Sequence, residues 1–315
     1  MPRRILLAAC LLCAAAVGLA QVSAPQLGWI PDGSRIRPVS GIPTAAAIGT
    51  AVLANQDFSR IAASPAGDYV LVSSAQTGTV SIYTPENGLI ALPGAGVAPD
   101  SLVLSPRGSA AALWFSSIHQ VQLVTGLPDA PVIRQLDASF LGSAPDALAL
   151  SDDGSWLAGV WSSSVYAFGP SGETNRLPIE NVATLAFFQG THDLAAAGAT
   201  GLQMLTGVGG FAVVSTLLAS ADASLQPVAV AATSDNRSVV LADRSGALVS
   251  IDVGSGASTV ADCGCRPEGL FGMGTSAFRL TGLQGGAFKL FDTVRGEVLF
   301  APLALDVTLN AGAAQ

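Results

Sequence analysis

The sequence predicts an all-β fold, a β-propeller of four-stranded blades, seven of them. Three observations carry this: a phrase that recurs at blade-sized intervals, short strands with no helical pattern between them, and chain ends that each read as part of one blade. The phrase is an apolar strand, a tight turn and a second apolar strand. It reads "ASPAGDYVLVSS" at residues 63–74, "LSPRGSAAALWF" at 104–115 and "LSDDGSWLAGVW" at 150–161, then fades into "FQGTHDLAAAG", "TSDNRSVVLAD" and "GMGTSAFRLTG". Set in register, the residue ending the first strand falls at Ser64, Ser105, Ser151, Gln189, Ser234 and Met273, with gaps of 41, 46, 38, 45 and 39. A period of about 42 is that of propeller blades, and it fits about seven times into the chain after Ala20.

Taken in order, the chain begins with residues 1–20, "MPRRILLAACLLCAAAVGLA". Arg3 and Arg4 precede an apolar run closed by the small-residue site Gly18-Leu19-Ala20, the pattern of a secretory signal peptide cut after Ala20. The run is 16 residues long, short of the ~20 that span a bilayer as a helix. A rival reading takes "LAAC" at 7–10 as a lipoprotein cleavage site. Only five residues separate Arg4 from Cys10, which makes its apolar core too short. The expected product is one domain, 21–315, secreted or periplasmic and without a membrane span.

Next, "LGWIPDGSRIRPVSG" at 27–41 reads as a third strand, a turn and an outer strand. The full unit is clearest around Ser151: "DALALS" inner strand, "DDGS" turn, "WLAGVW" second strand, "SVYAFG" third and "TNRLPI" outer. Val, Leu, Ala and aromatic residues fill the strands, and Gly, Pro, Asp, Asn or Ser punctuates each gap. Asp152 and Asp153 before Gly154 suit a tight turn, their carboxylates bonding nearby amides. No window after residue 20 has apolar residues at helical spacing that is not better read as strand. At the other end, "VLFAPLALDVTLNAG" offers an outer strand and a further short one over 305–310. Joined with the N-terminal hairpin in one composite blade, it closes the ring and removes free edges. A six-bladed ring with the hairpin packed outside is the alternative.

The stretch "DYVLVSSAQTGTVSIYTPENG" at 68–88 resembles the YVTN type of β-propeller repeat, whose blades run Tyr-Val-x-Val-Thr-Asn, a short loop and a Val-x-Val strand. "RSVVLADRSGALVSIDVGSG" at 237–256 is similar. Ser73 and Ser74 stand where the repeat has Thr-Asn, and no blade carries the Trp-Asp ending of WD40 repeats, so the likeness is WD40-like only in architecture. What the resemblance implies is a propeller with a binding surface; it brings no catalytic set.

The chain is acidic, with a formal charge of −8 and one lysine, Lys289, against 13 arginines. Without a basic run it lacks the phosphate contacts on which nucleic-acid affinity rests. Topology sorts the remaining polar residues. Loops entering the inner strands share one face, the loop face, with those joining second to third strands; the first-to-second turns form the other, the turn face. "APDSL", "APDAL" and "RPEGL" place Asp100, Asp146 and Glu268 at one blade position on the loop face, with Trp114, Phe115, Trp161 and His119 nearby. Carboxylates beside rings suit a cation, a sugar or a basic peptide. The same residues also have a purely structural reading, the acids bonding loop amides and the indoles covering blade ends.

Chemistry has little else to use. His119 and His192 fall on opposite faces and share neither a metal nor a proton relay. No serine sits in Gly-x-Ser-x-Gly, no Cys-His pair is placed for attack, and "SDDGS" lacks the ligand spacing of a calcium loop. No cofactor or metal is expected. The reading is a non-catalytic extracytoplasmic binding or scaffold protein, monomeric, that engages a protein, peptide or glycan through the loop face. The alternative is a lactonase-type propeller hydrolase holding a divalent ion with Asp100, Asp146 and Glu268, a fold-level analogy.

Cys10 and Cys13 leave with the signal, so only Cys263 and Cys265 remain, in "DCGCRPEGL". An oxidising compartment disfavours stable free thiols, and two sulfurs do not complete a zinc site. A disulfide is expected, Gly264 taking the backbone angles closure demands; a reduced pair is the alternative. The closed loop is too small to matter through chain entropy, so its role is local, fixing the segment that presents Arg266 and Glu268.

Overall fold

Seven antiparallel sheets follow one another along the chain in the computed structural model, which describes residues 24–220, 225–283 and 287–303. We number them blades I to VII. Six have four strands hydrogen-bonded in sequence order; blade I has three, Gln26–Asp32, Arg35–Ser40 and Ala47–Ile48. The first strands of blades II to VII are Phe58–Ala63, Ser101–Leu104, Ala147–Leu150, Val182–Phe187, Pro227–Ala232 and Phe271–Met273. All six line one central cavity, which defines a seven-bladed propeller and its axis. The only helical turns among the described residues are Pro43–Ala45 and Ser139–Leu141. No helix among the described residues is long and apolar enough to cross a membrane.

The composition of the strands explains this architecture. Second strands such as Ala110–Phe115 are buried on both sides, because blades face neighbours on both sides. Ala110, Ala112 and Trp114 pack toward blade IV while Ala111, Leu113 and Phe115 pack toward blade II, the two-residue alternation of a strand. Outer strands are wetter: in Thr174–Glu180 only Leu177 and Ile179 are buried. The core is therefore seven clusters, one between each pair of neighbouring blades. The cluster that closes the ring sets Ile30, Val39 and Ile48 of blade I against Met273, Phe288 and Leu290 of blade VII.

The repeated turn has a common chemistry. Ser64, Ser105 and Ser151 donate their N–H to the carbonyls of Tyr69, Ala110 and Trp156, and accept from Gly67, Gly108 and Gly154. Those glycines have φ between +66° and +78°, where a Cβ is strained. In blades V and VI the equivalent residues are Phe188 and Thr233, which donate to Asp193 and Ser238. This corrects the expected Gln189 and Ser234 by one position. Adjacent Thr233 and Ser234 both offer a hydroxyl, and it is the Thr233 Oγ1 that accepts the Ser238 N–H, as Ser151 Oγ accepts that of Trp156. In blade VII the turn is shorter, Met273 pairing with Ala277.

Blade I departs from expectation. Residues 27–41 do not supply third and outer strands: Gln26–Asp32 is the innermost of the three described strands, packed against the first strands of blades II and VII, and Arg35–Ser40 is next to it. The physical reason is where the strand packs: it lies against the first strands of blades II and VII, and its Trp29 and Pro31 line the central cavity, which a third strand does not reach. The strand also runs opposite to its neighbours on the axis. Gln26 and Trp29 donate to Gly67 O on the turn face, while Ser34 O, past its far end, accepts from Phe58 at the loop face. The two chain ends do meet: Leu303 bridges Ile48 in parallel. The expected strand over 305–310 and the signal peptide over 1–20 lie outside the described residues.

Candidate functional site

The loop-face residues singled out in the sequence occupy one structural position on three blades. The N–H groups of Asp100, Asp146 and Glu268 donate to the carbonyls of Trp114, Val160 and Leu280, the same rung in each sheet. All three side chains are exposed and on separate blades, and none lines the central cavity. Asp100 Oδ2 accepts from the Ser116 hydroxyl at 2.6 Å and the Ser116 N–H at 2.7 Å. Those two bonds, the hydroxyl first, hold its carboxyl below the usual range. Glu268 Oε2 accepts from Gly282 N. No three acids, histidines or cysteines gather around a point that would hold a metal among the described residues.

Trp114 and Trp161 are packed inside the cluster between blades III and IV, so neither offers an open ring face to a ligand. Trp161 Nε1 donates to Ser143 O. His119 stands edge-on to Trp114 at 6.1 Å, and His119 Nδ1 and Trp114 Nε1 are buried without a partner among the described residues. Arg266 is exposed on the segment after the cysteines. Cys263 and Cys265 are disulfide-bonded, their Cα atoms 5.1 Å apart, with Gly264 at φ +53°. Lys289, the only lysine of the chain, donates to the carbonyls of Cys263 at 2.6 Å and Gly264 at 2.8 Å, holding the loop to blade VII. Mass spectrometry of the unreduced protein is expected to show the peptide with both cysteines two hydrogens lighter than its reduced form. Ready alkylation of both thiols without reductant would count against the bond.

On the turn face the hairpins join into a belt. Tyr69 Oη donates to Gly108 O, Asp152 accepts from the N–H groups of Arg107 and Gly190, Asn236 and Gln189 exchange two bonds, and Ser234 Oγ reaches Thr275 O. Two further bonds skip a blade: Gln189 Nε2 to Pro106 O, and Gly274 N to Pro65 O. No such bond crosses the loop face among the described residues. His192 belongs to this turn face, its Nε2 2.9 Å from Asp153 Oδ2 and 3.2 Å from Ser155 Oγ. Both contacts fall on the same ring nitrogen, so the three residues do not form a relay in which acid and hydroxyl sit on opposite sides of the imidazole. Burial pushes the Asp153 carboxyl upward, but hydrogen bonds from Ser151, Ser155 and His192 outweigh it and hold the group well below the usual range.

Between the belt and the loop face lies a cavity of about 320 Å³ along the axis. Its walls are first strands, with Ile61, Leu102, Leu148 and Ala186 among the apolar residues that face it, and Trp29 and Pro31 on the blade I side. Besides the Trp29 indole, Ser105 and Arg279 alone bring polar side chains to it among the described residues. Trp29 Nε1 and Ser105 Oγ are already hydrogen-bonded within the protein. Arg279 is 6% exposed; its guanidinium lies 3.9 Å over the Phe271 ring, and Nη1 donates to Thr281 O at 2.9 Å. Burial pulls its pKa down to about 10, opposed by the field of Glu268, so the group is cationic at neutral pH. Sequence reasoning missed this residue. The available signal was an arginine closing the otherwise apolar second strand Ala277–Arg279 and followed by Leu280, in "AFRLTG".

No protein-family model matches the chain, and no curated protein is similar to it in sequence. Solved structures do share the fold. A functionally unknown protein from Desulfotomaculum acetoxidans superposes with a TM-score of 0.60 at 14% identity, covering 88% of this chain and 94% of that one. Apo AztD from Citrobacter koseri gives 0.59 at 14% identity, over 91% and 84%. A catalytically inactive virginiamycin B lyase from Staphylococcus aureus, solved with quinupristin, gives 0.52 at 12% identity, over 92% and 88%. At these identities the likeness is one of fold alone.

Proposed function

We propose that this is an exported, YVTN-like propeller that binds its ligand without transforming it, and that the ligand sits in the axial cavity, reached from the loop face. The observation that supports this reading is the cavity itself, a well with apolar side chains on most of its wall, within the size range of ligand pockets and crossed at its turn-face end by two bonds that skip a blade. It moves the binding site inward from the exposed carboxylates to the first strands. The lactonase-type alternative needs Asp100, Asp146 and Glu268 around one ion, and they stand on three separate blades, with Asp100 and Glu268 bonded into their own loops.

A neutral aromatic such as indole is expected to bind saturably, one per chain, by ligand-observed NMR. Ala186→Phe, which fills the well from its wall, is expected to abolish binding while leaving the fold intact. The reading fails if no aromatic probe, neutral or carrying a carboxylate, binds, or if the filled variant binds as well as the parent.

A further inference from the structure

Arg279 brings a positive charge to the well. One of its donors is used by Thr281 O, and its ring contact with Phe271 is a cation–π stack. Nε and Nη2 have no acceptor among the described residues, and the field of Glu268 reaches the guanidinium. A buried charge without a hydrogen-bonded counter-ion is costly. No carboxylate side chain lines the rest of the wall among the described residues.

Resting on the reading of the well as a binding site, we propose that its ligand is an amphipathic organic monoacid: a single carboxylate held by the Arg279 fork, with an apolar body against the first strands. A planar carboxylate matches the parallel N–H groups of a guanidinium, which a point charge would not exploit. One charge is matched by one arginine. A doubly charged phosphate would carry a second charge into a well where Arg279 is the only cationic side chain among the described residues. The chain's overall charge of −8 does not attract anions from a distance, so selection acts inside the well, at Arg279. Two sources share this chemistry, a free organic acid and the C-terminal carboxylate of a peptide ending in an apolar residue.

The experiment compares acids with their neutral amides by calorimetry: 3-phenylpropionate against 3-phenylpropanamide for the free acid, and N-acetyl-glycyl-phenylalanine against its amide for the peptide end. The acid of one pair is expected to bind at least about tenfold tighter, the scale of a charge-assisted hydrogen bond; the pair that does so identifies the source. Arg279→Gln is expected to reduce the acid to the affinity of the amide, with Arg279→Lys between. The comparison on the parent protein stands even if Arg279→Gln fails to fold. Equal affinity of acid and amide overturns this proposal and leaves the well as a site for neutral ligands. Preference that survives in folded Arg279→Gln overturns it too. If neither member of either pair binds and indole does not bind, the well is not a site at all.

Discussion

Phe288→Ala is expected to destabilise the protein by about 3–5 kcal/mol, the range for removing a large buried aromatic. Phe288 is 1% exposed and sits in the cluster where blade VII meets blade I. Among the described residues that junction is held by side-chain packing and by the bridge between Ile48 and Leu303. The contrasting variant is Phe300→Ala. Phe300 stands on the outer strand Glu297–Pro302, beside the strand that carries Phe288, and is 67% exposed. Its loss is expected to cost no more than about 0.5 kcal/mol. Urea unfolding followed by tryptophan fluorescence reads both. Similar midpoints for the two variants would show that apolar packing at the junction does not hold the ring closed.

The fold was legible because the repeat is written in local chemistry. A hydroxyl or small residue at the strand end, a glycine or asparagine at positive φ and a second strand apolar on both sides all lie within a dozen residues, and together they set period, strand order and facing. Blade V shows the limit: with Phe188 in place of the serine, the local signal no longer marks the position, and the alignment slipped by one. The blade I hairpin was misplaced for a different reason. Its strand lengths and turn suit any pair of neighbouring strands, and only its packing against the first strands of blades II and VII decides which pair it is.

The candidate site was less legible. Asp100, Asp146 and Glu268 share a position, as their spacing implied, but a shared position on separate blades of a ring is not proximity. Trp114 and Trp161 read as ligand platforms because a sequence shows where a ring enters a strand and not which neighbour covers it. Arg279 went unnoticed because the well it lines is assembled from residues more than two hundred positions apart, Trp29 and Phe278 among them. An arginine near a strand end also has many ordinary uses at a surface, and its burial is a tertiary fact.

The adjacent acids Asp152 and Asp153 looked interchangeable as turn formers, and they are expected to differ sharply when removed. Asp152 is 8% exposed, and its two oxygens accept the N–H groups of Arg107 and Gly190 at 2.7 Å each, tying blades III and V through blade IV. Asp152→Ala leaves two backbone donors without their charged acceptor, at a cost of about 3 kcal/mol, and loosens the belt on the turn face. Asp153 is 54% exposed and bonds within its own turn and to His192. Asp153→Asn is expected to cost no more than about 1 kcal/mol at neutral pH, as exposed charge pairs do. Because the folded protein holds the Asp153 carboxyl below its usual 3.8, its contribution is present above that pH and is lost as the pH falls below it. The penalty of Asp153→Asn should therefore shrink in acid. Hydrogen exchange separates the two: Asp152→Ala is expected to speed exchange of the Arg107 and Gly190 amides, and Asp153→Asn is expected to leave both protected. If Asp152→Ala left those amides as slow as in the parent, the belt would not depend on this carboxylate, and the turn face would have to be held by the bonds from Gln189 and Gly274 alone.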